Sequence, residues 1–252
     1  MKRRMIVACV AVLAAAACSD RQGGVAGPTG ADEASPWVRP PLIDGVTRDG
    51  GGLVVRGAAG PNARVVLRAP GAAAVAASAD GAGRFELRLP PLHGDVRFTP
   101  EVQVGEDAAV SPETLVVIQG GAGPVVLIAA GQPTVRLDGA GGLDAVDSDG
   151  ATLMASGQAE RAAPDVTVNG VGVTATAIGR GRWRAVTGQA GAATITVNGK
   201  SVDYPGAGGG TGFVIERAGL GWRITWPVAP NGRQSAWLPD RDVNVLETNS
   251  VN

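Results

Sequence analysis

Aromatic residues are scarce: phenylalanine, tyrosine and tryptophan make up 4% of the 252 residues. Glycine and proline are plentiful instead, at 39 and 17. That balance disfavours long helices and suits many short strands joined by turns. Beyond the first 18 residues no segment places apolar side chains at helical period. Much of the apolar fraction is alanine and valine, so any core is finely divided.

Groups that catalysis draws on are equally few. The one histidine, His93, sits between turn-forming residues in Pro90-Pro91-Leu92-His93-Gly94, which reads as a loop between strands. It has no second histidine or spare cysteine to work with. Gly-x-Ser-x-Gly does not occur, which removes the hydrolase elbow. The glycine runs at 120–123 and 139–142 lack the Lys-Ser/Thr and the helix of a phosphate cradle. Zinc is short of ligands. Calcium needs only oxygens, and Asp144, Asp147 and Asp149 with Gly150 form an acidic turn, a weak calcium candidate without the full ligand set. The chain therefore reads as neither an enzyme nor the holder of a cofactor.

Net charge is −1, and no basic run follows Arg4. That leaves no footprint for nucleic acid and none for a polybasic membrane surface.

What is present begins with the leader. Lys2, Arg3 and Arg4 precede an uncharged run at 5–17. The run is shorter than the ~20 residues a membrane-spanning helix needs, and it ends in small residues, as a signal peptide does. Ala15-Ala16-Ala17-Cys18 resembles a bacterial lipobox, with Leu13 lying two positions ahead of that family's preferred place. Of the two cysteines, Cys9 lies in the segment to be removed, so Cys18 becomes the first residue and the only thiol of the mature chain. The resemblance implies lipidation at Cys18, a palmitate-type anchor in the membrane. Ser19 follows in place of aspartate, which in such lipoproteins implies sorting to the outer membrane. Residues 18–40, rich in Gly, Pro, Ala and charge, read as the lipidated N-terminus and a tether.

The remainder carries an internal repeat. Asp49-Gly50 opens a run that closes at Gly57, and Asp149-Gly150 opens one that closes at Gly157. Each leads through proline into a short apolar alternation, at 63–67 and 165–168, and then to a turn and an aromatic strand at Phe85 and Trp183. The offset, about 100 residues, is the size of one β-sandwich domain. Period-two alternation bounded by turn residues predicts strands at 53–55, 64–67, 84–89, 95–98 and 115–118 in a first unit. The same signal predicts strands at 125–128, 152–155, 166–168, 171–177, 183–186 and 193–197 in a second. Asn169-Gly170 and Asn198-Gly199 are hairpin signals.

Asp49, Gly57, Pro61, Val65, Asp80, Gly83, Arg84 and Phe85 together resemble bacterial immunoglobulin-like domains, including the carboxypeptidase-regulatory-like type. The second unit matches more loosely, with no counterpart of Asp80 and with Trp183 for the phenylalanine. The resemblance implies a fold used as spacer, adhesion or binding module, with no reaction attached.

After Pro205 a glycine-rich linker precedes two strands, at 213–217 and 222–226, flanking Ala218-Gly219-Leu220-Gly221, and 234–238 offers a third strand. Trp222, Ile224 and Trp226 share one face of their strand. They read as core, because Arg223 and Thr225 opposite suggest a wet side; the alternative is a ligand platform of Trp222 and Trp226.

These readings give an all-β chain: two immunoglobulin-like β-sandwich units in tandem, at 41–120 and 121–205, plus a C-terminal β-hairpin segment at 206–239 and a polar tail at 240–252. Residues 41–118 are expected to fold alone. The expected role is that of an exported bacterial envelope lipoprotein, structural or binding, held to the membrane by its N-terminal lipid and meeting another envelope protein or a glycan. The alternative is a carbohydrate- or peptidoglycan-binding module or an accessory domain of an envelope enzyme.

Overall fold

Val125-Val126-Leu127-Ile128 has no polar side to turn toward water, and a strand of that kind must be covered on both faces. In the computed structural model all four residues are buried: Val125 and Leu127 enter one core, Val126 and Ile128 another. That double burial organises the molecule. The structure describes residues 38–104, 107–139, 141–159 and 162–241, all within one compact unit, Ala34–Asn252. The leader 1–17, Cys18, nearly all of the tether and the tail from residue 242 lie outside the described residues.

The first sandwich contains β1 (Leu42–Asp49), β2 (Gly52–Ala58), β3 (Arg64–Arg68), β4 (Val75–Ser78), β5 (Arg84–Leu89), β6 (Val96–Val104), β7 (Asp107–Val110), β8 (Thr114–Val117), β9 (Val125–Ile128) and β10 (Val135–Arg136). One antiparallel sheet runs β1-β2-β5, and the other runs β10-β9-β8-β6-β3-β4 with β7 beside β6. Alternation on β5 sends Phe85, Leu87 and Leu89 inward and Arg84, Glu86 and Arg88 outward. Val55, Leu67, Phe98, Leu115 and Val125 fill the space between the sheets.

The second sandwich contains β11 (Ala145–Ser148), β12 (Leu153–Gln158), β13 (Val166–Val168), β14 (Val171–Val173), β15 (Ala175–Gly179), β16 (Arg182–Thr187), β17 (Ala193–Val197), β18 (Lys200–Tyr204), β19 (Val214–Arg217), β20 (Gly221–Val228) and β21 (Gly232–Pro239). Its larger sheet runs β15-β16-β12-β11-β21-β20-β19, and its smaller one β14-β13-β17-β18. Asn169-Gly170 and Asn198-Gly199 both have positive φ at each residue and close the β13–β14 and β17–β18 hairpins, as their sequence predicts.

The repeat is present in six strands of each sandwich. Order β1-β2-β5 matches β11-β12-β16, and β4-β3-β6 matches β14-β13-β17. Its two closing glycines face its two aromatics: Gly57 pairs with Phe85 and Gly157 with Trp183. A Cβ on Gly57 would overlap the Leu42 carbonyl and lie 2.7 Å from Phe85 Cζ, and one on Gly157 would overlap the Gly142 carbonyl. Backbone atoms cannot swing aside, so Gly157→Ala should lower stability by about 1–3 kcal/mol, as overpacking does. Urea unfolding checks this; an unchanged midpoint would mean the 142–157 contact is loose.

Three expectations change. Residues 125–128 belong to the first sandwich, not the second, because β9 pairs with β8. The C-terminal hairpin is no appendage: β21 pairs with β11, so β19–β21 complete the larger sheet of the second sandwich. Residues 171–177 are not one strand, since β14 edges one sheet and β15 the other.

A third core joins the sandwiches. Val116, Ile118, Val126 and Ile128 on the back of β8–β9 meet Ala145, Ile224, Trp226, Ala236 and Leu238 on the back of β11, β20 and β21. Four sheets are therefore stacked with three apolar layers between them.

Candidate functional site

The third core ends in a polar seam, and the strand alternation that builds the core also places the seam. On β11, Ala145 and Asp147 turn toward the first sandwich while Val146 turns to the second core. Asp147 is 1% exposed and Asp144, just before the strand, 0%. Across from them stand Thr134, just before β10, and Arg136 within it, both buried.

Asp147 is held by one residue. Thr134 donates its backbone N–H to Oδ2 at 2.9 Å and its hydroxyl to Oδ1 at 2.5 Å. Arg182 of β16 comes close but donates to the Thr134 carbonyl, at 3.1 Å. Arg136 makes a two-pronged pair with Asp138, at 2.9 and 3.1 Å, and donates to Pro239 O at 2.6 Å. Arg241 Nη2 reaches Asp144 Oδ1 at 2.8 Å, leaving Asp144 Oδ2 buried without a hydrogen-bond partner.

Burial dominates the electrostatics. It pushes Asp147 up to about 7, against the opposing Thr134 hydrogen bonds and the Arg182 charge. It pushes Asp144 up to about 6, against Arg241, Arg182 and Arg136. Glu113 rises for the same reason, opposed by Arg180 and Arg182. Perturbed carboxyls beside an opening mark a candidate site. A groove of about 330 Å³ does open here, lined among others by Asp147, Asp149, Met154, Arg184, Val186 and Gln234.

The three aspartates of the calcium candidate do not converge. Asp144 is committed to Arg241, Asp147 to Thr134, and Asp149 accepts from the Ala151 and Thr152 N–H groups of its own turn, which lowers its pKa. Among the described residues no group of three or more His, Cys, Asp and Glu side chains is placed to hold a metal ion. The surface turn expected at 144–149 is buried from Asp144 through Ser148, with only Asp149 exposed. Asp144-Ala145-Val146-Asp147 sets two apolar residues side by side between its carboxyls, so no period-two alternation marks this strand in the sequence.

Trp226 packs in the third core at 7% exposure, and Trp222 is half-buried beneath the Arg217 guanidinium, 5.1 Å above its ring. Phe213 packs against the same core. The side of β20 opposite these residues is not wet, however. Thr225 is buried and the Arg223 side chain is only 12% exposed, so the opposite side of β20 is covered as well. Gly208 lies directly on Arg223, and Arg233 donates to the carbonyls of Gly208 and Gly210, pinning the glycine-rich segment over this side. His93 is exposed in the loop after β5. The first residues of the expected tail are tied down, Asp240 by Arg217 and Arg241 by Asp144.

No family model matches the chain, and no curated protein matches it either.

Proposed function

We propose that the chain is an exported bacterial envelope lipoprotein, acylated at Cys18 and sorted to the outer membrane, with a structural or binding role carried by its two immunoglobulin-like β-sandwiches. The observation that carries this reading is the leader itself: basic residues, a short apolar run, three alanines and then the only cysteine left after cleavage. A lipidated cysteine also removes the stray thiol that an oxidising compartment disfavours.

The immunoglobulin-like resemblance is supported by what its residues do. Asp80 Oδ1 accepts from the N–H groups of Ala82 and Arg84, fixing the turn ahead of β5. Gly83 has φ of +78°, and a Cβ there would overlap the Ala59 carbonyl. Phe85 then enters the first core. A block of stacked sheets at the end of a tether suits a spacer or scaffold. Contact with another envelope protein or a glycan would fall on the groove at the seam rather than on Trp222 and Trp226, which face the third core.

Growth with labelled palmitate should label the wild-type chain, and Cys18→Ser should abolish the label and leave the leader uncleaved. Mass spectrometry finding a mature chain that begins beyond Ser19, with no acyl mass, would sink the proposal.

A further inference from the structure

We propose that the junction between the two sandwiches is a pH-responsive coupling, in which loss of the Asp147 proton weakens the hold of β11 on β10 and lets the polar end of the third core open.

The geometry carries the argument. Asp147 lies between two packed sheets, and both its hydrogen bonds come from Thr134 on the neighbouring sandwich. Among the described residues it makes no ion pair, although cations surround it. On the first sandwich, Arg136 is taken by Asp138 and the Pro239 carbonyl. After β21, Arg241 is taken by Asp144. From β16, Arg182 donates to Thr134 O and also faces Asp144 and Glu113, while Arg184 lines the groove together with Asp149. Behind the sheet, on the second-core side, stand Tyr204 and the Arg223–Glu216 pair.

Protonated, the Asp147 carboxyl suits this place: it accepts from the Thr134 N–H and can donate to the Thr134 hydroxyl. Ionised, it is a buried charge with no cation of its own. Opening the seam would hydrate it. The sign follows. The closed seam holds its proton up to about pH 7, whereas an opened seam returns the carboxyl to its usual value near 4. Closure is therefore fully favoured below that usual value, weakens as pH rises, and levels off above 7. Asp144 shifts in the same direction with its midpoint near 6, so between pH 6 and 8 it adds only about twofold and Asp147 carries most of the change.

Hydrogen exchange of the Thr134 amide, corrected for the intrinsic pH dependence of exchange, reads the opening directly. In the full chain its protection should fall about tenfold between pH 6 and 8, one pKa unit being a factor of ten. Asp147→Asn keeps the shape and both hydrogen bonds without the charge, so its protection should fall no more than the roughly twofold left by Asp144. A carboxyl ¹³C titration of the wild-type protein, which needs no variant, should place Asp147 near neutrality. Protection that does not fall in the wild type, an undiminished tenfold fall in Asp147→Asn, or titration of Asp147 in the ordinary carboxylate range would each overturn the proposal.

Discussion

Residues 38–139, expressed alone, should fold as a β-sandwich and self-associate, whereas residues 41–118 should hold no stable fold. The shorter fragment ends inside the first core. It lacks Val125, Leu127 and Leu137, which line that core, and it leaves β8 without its β9 partner. The longer fragment retains the whole first core but bares the far side of β8 and β9. There Val116, Ile118, Val126 and Ile128 are at most 4% exposed in the full chain. Burying an aliphatic side chain of this size contributes about 1.5–3 kcal/mol, so four adjacent ones form a strongly adhesive patch. Circular dichroism should show β structure for 38–139, and sedimentation should show association that strengthens with concentration. Placing a charge at Val126, by Val126→Asp, should return that fragment to a monomer because the residue faces away from the first core. A monomeric, concentration-independent 38–139 would mean that the third core contributes little. Cooperative unfolding of 41–118 would mean that β9 and β10 are dispensable.

This outcome differs from the one the sequence suggests, and the difference has a physical cause. Alternation tells which side of a strand is apolar; it does not tell which sheet covers that side. The hairpins at Asn169-Gly170 and Asn198-Gly199 were legible because both residues of the turn must take positive φ. The repeat was legible because its glycines are needed where neighbouring backbone crowds in, at Gly57 together with the Phe85 ring and at Gly157 against Gly142. Residues 125–128 announced burial on both faces but could have belonged to either unit. The distant pairing of β21 with β11 left no trace in spacing. The seam was the least legible part. Acidic residues between Gly142 and Gly150 resemble a solvated turn, and an arginine such as Arg136 resembles a surface residue until its carboxylate partner and the carbonyl of Pro239 are seen around it. Buried charge is recognised from its partners, which only the fold brings together.

Trp237→Ala should be among the most damaging single truncations in the second sandwich, lowering stability by about 3–5 kcal/mol, as removal of a large core aromatic does. Trp237 is 1% exposed. Its Nε1 donates to the Ala218 carbonyl at 2.8 Å, and its ring meets Tyr204 edge-on, with centroids 5.9 Å apart and planes at 68°. It also lies against Gly221, where a Cβ would come within 2.7 Å of Nε1, so the strand start of β20 needs glycine for the indole to fit. One side chain thus ties the turn at 218–221 to the larger sheet and, through Tyr204, ties that sheet to the smaller one. Trp237→Phe keeps most of the apolar area but leaves the Ala218 carbonyl, in a buried residue, without its donor; a loss of about 1–3 kcal/mol is expected. Trp222→Ala supplies the contrast. That ring is half-buried at the margin of the third core, with an arginine stacked over it, and its removal should cost about 1 kcal/mol, less than either change at Trp237. Urea unfolding followed by circular dichroism ranks the three without depending on tryptophan emission. If Trp237→Ala fell no further than Trp222→Ala, the second core would not be what holds the two sheets of this sandwich together, and the weight would shift to the valine and isoleucine contacts of β13 and β17.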